Sequence, residues 1–148
     1  MVLNKWDNQE MAQSNGLDSL VYRSNLLGLD RSIVNIGGGN TSTKTIEKDF
    51  KGNDIEVMWV KGSGSDLVTM KAEHFTGLRM EDIRPLMERD DMTDEEMVEY
   101  LSHCMIDSKH PRSSIETLFH AFLPFKHVDH THPDAIISIA CADNGKGI

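Results

Sequence analysis

The chain has 148 residues, 39% of them hydrophobic and 26% charged, a balance that fits one ordinary globular domain. Its formal net charge of −9 argues against a nucleic-acid or anionic-membrane partner, while leaving room for a small anionic substrate held by local donors. No apolar run reaches the ~20 residues that span a bilayer, MVLNKWDNQEM lacks the apolar core of a secretory leader, and Cys104 and Cys141 are too few for a disulfide framework; the expected compartment is the cytoplasm.

The spacing of Leu17, Leu20, Val21 and Ser24 predicts a helix over residues 7–28. Ile33–Ile36 reads as a short strand that runs into Gly37-Gly38-Gly39-Asn40, and Thr41–Ile46 as the next strand. A turn over residues 48–54 leads to Ile55–Val60, apolar on both faces and therefore expected to be covered on both sides. Gly62-Ser63-Gly64-Ser65 breaks the chain again, before an expected short helix at Met70–Phe75 and an extended segment at Leu78–Ile83. Thr93-Asp94-Glu95-Glu96 carries a capping box for a helix whose apolar stripe is Met97, Tyr100, Leu101, Cys104 and Met105. Ser113-Ser114-Ile115-Glu116 reads as a second capping box, for a helix that stops near Pro124.

Chemistry concentrates in three places. In His130-Thr131-His132, two histidines at i and i+2 of an extended strand point to one face, where neutral imidazoles can bind one divalent metal, zinc above all. His127 and Asp129 alternate onto the opposite face, as supports or as solvated groups, and Asp134 after Pro133 reads as the start of a helix rather than as a ligand. The two glycine loops, Gly37–Ser42 and Lys61–Ser65, bring small and hydroxylated residues beside strand ends, which suits turns and also suits an anion cradle. Neither completes a P-loop or a dinucleotide fingerprint. Glu116 reads either as the N3 member of its capping box or as a general acid/base beside a metal.

Taken together and in order, Gly-Asn-Thr-Ser at 39–42, Gly-Ser-Gly at 62–64, Ser-Ser-Ile-Glu at 113–116 with His120, and His-Thr-His-Pro at 130–133 resemble the class II aldolase/adducin family, over roughly residues 15–148. GGGNTSTKT, VKGSGSDLVTM, DSKHPRSSIETLFHAFLP and KHVDHTHPDAI resemble, more closely, the N-terminal part of the bifunctional rhamnulose-1-phosphate aldolase/alcohol dehydrogenase subgroup. The resemblance implies a three-layer α/β/α sandwich around a mainly antiparallel sheet. It implies zinc held by His130, His132 and a third histidine further along, with Glu116 as catalytic acid/base. It implies a phosphate site from Asn40, Thr41, Ser63, Gly64, Ser113 and Ser114. The implied reaction is cleavage of a ketose 1-phosphate, here rhamnulose 1-phosphate, to dihydroxyacetone phosphate and an aldehyde.

Two departures from the family pattern stand out. Ser-Ser-Glu is lengthened here by Ile115, and no histidine follows His132. Residues 1–148 are accordingly expected to be the N-terminal portion of the aldolase domain, inactive alone, with the remainder of that domain and a short-chain dehydrogenase half lying elsewhere in a homo-oligomeric parent. NAD belongs only to that second half. Two other classes compete. A non-catalytic adducin-like interaction module is disfavoured because such modules lack the metal histidines. A metal-dependent hydrolase is disfavoured because His-x-His-x-Asp is followed by Ala135 where that motif needs histidine.

Overall fold

The structure is a computed structural model that describes residues 4–8 and 16–145. Four strands form one antiparallel sheet: β1 (Asn40–Lys48), β2 (Asp54–Lys61), β3 (Phe75–Arg79) and β4 (His127–His130), in the order β3-β2-β1-β4. The helices are α1 (Gly16–Gly28), α2 (Met80–Ile83), α3 (Asp94–His103), α4 (Thr117–Phe122) and α5 (Asp134–Ala140). Three 3-10 turns, Leu67–Thr69, Ala72–His74 and Arg84–Glu88, complete the described elements.

Alternation along the strands divides the core between the two faces of the sheet. Met58, Val60 and Leu78 face α2, α3 and α4, where they pack with Met80, Ile83, Leu101, Cys104 and Ala121. Trp59 and Phe75 face α1, where Leu20, Val34, Leu67 and Met70 gather. Each fully buried Leu, Ile or Phe contributes roughly 1.5–3 kcal/mol, so both layers are held by burial rather than by the short helices' own propensity. The expected α/β architecture with helices on both sides of a mainly antiparallel sheet is thus observed. Asp49 turns the β1–β2 hairpin by accepting from the backbone N–H of Lys51 and Asn53.

The capping box of α3 forms as its sequence predicts: Thr93 accepts from Glu96 N–H, and Glu96 accepts from Thr93 N–H. The helix expected over residues 7–28 is observed as α1 from Gly16 to Gly28; Asp7 is irregular, Asn8 is helical, and residues 9–15 lie outside the described residues. Four expectations are corrected. Ile33–Ile36 is a turn, not a strand: Asp30 accepts from Ser32 N–H, Val34 is buried in the α1 layer with Ile33 packed beside it, and Ile36 is exposed. Met70–Phe75 holds no α-helix, because the 3-10 turn at Ala72–His74 gives way to β3 at Phe75. The segment Leu78–Ile83 is extended only to Arg79 and then turns into α2.

The fourth correction concerns Ser113. It does not cap α4 but forms an isolated bridge to Gly62, and Glu116 itself occupies the N-cap position, with no side-chain cap bond. A long-range backbone pairing has displaced a local cap.

Candidate metal centre

β4 places His130 opposite Asn40 of β1, on the sheet face that also carries Ser42 and Val128. The strand ends at His130, so His132 reaches the same ground from a loop, where its N–H donates to Ile33 O at 2.9 Å. The two imidazoles meet edge to face with ring centres 4.6 Å apart. The glycine loop makes room for this: a Cβ on Gly38 would stand 2.7 Å from His132 Nδ1 and 1.8 Å from Asn35 Oδ1. Gly39, at φ +75°, adopts the left-handed backbone that glycine favours and passes beside His130 O.

Glu116 completes the cluster. Its Oε1 lies 3.0 Å from His130 Nδ1, with both side chains about one-third exposed. One ligand-type atom from each of Glu116, His130 and His132 falls within 4.8 Å of the others. The Glu116–His130 contact lacks hydrogen-bond alignment, and His130 Nδ1 is buried without a hydrogen-bond partner. Two imidazole nitrogens and a carboxylate oxygen are a donor set suited to zinc, and the orphaned Nδ1 fits a lone pair aimed at a shared ion rather than at a neighbouring side chain. Ser114 orients the carboxylate: its Oγ accepts from Glu116 N–H at 3.3 Å and donates to Oε2 at 3.5 Å.

The other sequence-predicted residues divide. Asn40 is fully buried, with neither amide atom hydrogen-bonded. Ser63 and Gly64 are exposed at the loop after β2, and Ser63 N–H donates to Arg112 O, which brings that loop beside Ser113 and Ser114. Thr41 is not brought to this face: its hydroxyl lies 2.6 Å from Ser24 Oγ, under α1. Behind β4, Arg23 donates to Asp129 at 2.9 Å and to Ser42 O at 2.6 Å, and lies 3.0 Å from His127 Nδ1. His127 and Asp129 therefore brace the strand from its far side.

Sequence reasoning missed Lys61. This lysine is only 5% exposed; burial pushes its amine down, while Glu116 and Asp66 pull it back up. A lysine closing an apolar strand just before a glycine loop was the available signal. His120 belonged to the motif but had no role assigned; burial takes its pKa down to about 4.

A mixed α/β domain with a carboxylate and two histidines converging at a sheet edge has a donor set that could hold a metal ion. Comparisons make it specific. The profile of the Class II Aldolase and Adducin N-terminal domain matches residues 18–148, so the chain belongs to the class II aldolase/adducin family. It is 72% identical over 149 residues to "Uncharacterized oxidoreductase YuxG" of Bacillus subtilis (strain 168); all of this chain is covered, but it spans only 22% of that relative's length. It also superposes on the N-terminal Class II Aldolase domain of a conserved protein from Thermoplasma acidophilum, with TM-score 0.88 and 46% identity over 97% of this chain and 66% of that one. The chain therefore has the class II aldolase fold. Among the described residues no helix is long and apolar enough to cross a membrane.

Proposed function

We propose that this chain supplies the Glu116, His130 and His132 part of a zinc-dependent aldolase, which cleaves a ketose 1-phosphate to dihydroxyacetone phosphate and an aldehyde. Rhamnulose 1-phosphate is the expected substrate. The observation that carries the reading is the convergence of those three side chains within 4.8 Å, in a chain of the class II aldolase family. Further ligands, including a third histidine, come from sequence beyond these residues. The same parent carries a short-chain dehydrogenase half, a reading supported by the oxidoreductase name of the YuxG relative.

Zinc, when bound, supplies Lewis-acid polarisation of the substrate oxygens. The chain's own residues do the rest. Aldol cleavage breaks one carbon–carbon bond, removes a proton from the hydroxyl of the aldehyde half, and returns a proton to the carbon of the dihydroxyacetone phosphate half. Glu116, oriented by Ser114 and about one-third exposed, moves the proton at that carbon. Asn40 with its unpaired amide, and the paired loops of Ser63–Gly64 and Ser113–Ser114, hold the phosphate through neutral donors.

The test is Glu116→Gln in the full-length parent, assayed for dihydroxyacetone phosphate release from rhamnulose 1-phosphate. A fall of roughly 10²–10⁴ in rate, read at saturating zinc, is expected. Wild-type turnover in a zinc-loaded variant would refute the acid/base role. Absence of release from any ketose 1-phosphate by the unmodified parent would refute the aldolase reading.

A further inference from the structure

Four buried side-chain polar atoms among the described residues lack a hydrogen-bond partner: Asn40 Nδ2 and Oδ1, His120 Nε2 and His130 Nδ1. They are not scattered. Asn40 stands opposite His130 in the β1–β4 register, and Ser42, two residues along on the same face, holds the ring of His120. Native interiors leave few such atoms unpaired, because each costs about 1–3 kcal/mol. Four at one place mark ground built for something other than packing.

His120 is the member that neither the proposed metal set nor the phosphate loops use. It is fully buried on α4, one helical turn beyond Glu116, so the two side chains share a helix face. Its Nδ1 lies 2.8 Å from Ser42 Oγ. The Phe119 ring stands edge-on at 5.6 Å and screens it. Ser42 Oγ has no other hydrogen-bond partner among the described residues, and the Ser42 carbonyl is pinned by Arg23, so the serine is fixed from both ends. Burial keeps the imidazole neutral near pH 7, while Glu116 and His130 both act on its charge. One nitrogen anchored to Ser42 and one buried without a partner leave the ring free to orient a neighbouring ligand.

We propose that Ser42 and His120 are positioning residues for the Glu116 carboxylate: the Ser42 hydroxyl donates to Nδ1, which leaves the proton on Nε2, and Nε2–H holds Glu116 in place when the metal centre is filled. This rests on the metal centre proposed above, and it adds a tautomer-setting pair behind it.

The experiment compares His120→Gln with His120→Asn in the full-length parent, reading zinc affinity by competition with a chromophoric chelator in the absence of sugar phosphate. A glutamine amide nitrogen reaches the place of Nε2, whereas an asparagine amide reaches only that of Nδ1. If Nε2–H positions Glu116, His120→Asn weakens zinc by about 10–100-fold, the usual cost of losing an outer partner of a metal ligand, and His120→Gln restores most of it. A merely structural ring bound to Ser42 predicts the reverse order, with asparagine the better substitute. That order, an equal loss in both, or wild-type affinity in both overturns the proposal. Ser42→Ala, which removes the donor to Nδ1 and leaves the ring in place, gives an independent arm: zinc affinity falls roughly tenfold if the tautomer matters, and an unchanged affinity sinks the idea. Because affinity is read without substrate, the outcome is separate from whether a ketose 1-phosphate is cleaved.

Discussion

Glu116 Oε1 and His130 Nδ1 approach to 3.0 Å without the alignment of a hydrogen bond. The approach is possible because Glu116 sits at the N-cap of α4 with its carboxylate unused by the helix, while Ser113, the cap suggested by sequence, is paired to Gly62. Stability and chemistry are thereby separated at this residue. Glu116→Gln is expected to change the unfolding free energy by less than about 0.5 kcal/mol, as for a substitution that breaks no cap and no core contact. Urea denaturation checks this; a loss above about 1 kcal/mol would mean the carboxylate carries structure after all.

Gly38 lies where its missing side chain gives His132 its place. Gly38→Ala forces Asn35 Oδ1 and His132 Nδ1 apart from the new methyl, and both are side-chain atoms that can move. We expect the fold to survive and zinc affinity to drop by roughly tenfold, because the displaced ring no longer converges with His130. Isothermal titration with zinc on the full-length parent reads this; unaltered affinity would show that the glycine serves only the turn.

His120 makes stability depend on pH in a definite direction. Its pKa is depressed from 6.5 to about 4 by burial, so below pH 6.5 the unfolded chain takes up a proton that the folded chain refuses. The contribution is fully present above about pH 6.5 and is lost as pH falls toward 4, on the order of 3 kcal/mol at ~1.4 kcal/mol per unit. Thermal melts of the wild type and of His120→Gln from pH 7.5 to 4.5 should converge toward acid. Parallel curves would place the acid sensitivity elsewhere.

Arg23 ties α1 to the back of β4 through Asp129 and His127, and to β1 through Ser42 O. A lysine cannot reproduce that fork. Arg23→Lys is expected to lower stability by about 1–3 kcal/mol, since Ser42 O and Asp129 lose charge-assisted partners. The midpoint of urea unfolding decides; a change within about 0.5 kcal/mol would make the network ornamental.

Several features were readable from residues alone because their causes are local. The two-faced apolar pattern of Ile55–Val60 predicts a covered strand, and Val57, Met58 and Val60 are fully buried. Thr93 and Glu96 lie three residues apart and cap one another without help from elsewhere. The failures have long-range causes. Ile33–Ile36 looks like a strand, yet the N–H groups of Ile33 and Val34 turn back to Asp30 O, and the single long-range bond, from His132 N–H to Ile33 O, makes no ladder. Ser113-Ser114-Ile115-Glu116 matches a capping box, but Gly62 claims Ser113 first. Thr41 follows Asn40 in a motif, and alternation turns its hydroxyl to the other face. Lys61 and His120 gain their character from burial, which no short pattern reports.

The most direct test is zinc stoichiometry and chelator sensitivity in the full-length parent, with His130→Ala and His132→Ala beside the wild type. We expect a single zinc per chain, release of dihydroxyacetone phosphate that stops on chelation and returns with zinc, and loss of both properties in each histidine variant. Cleavage that persists in metal-free protein, or wild-type zinc content in either variant, would contradict this.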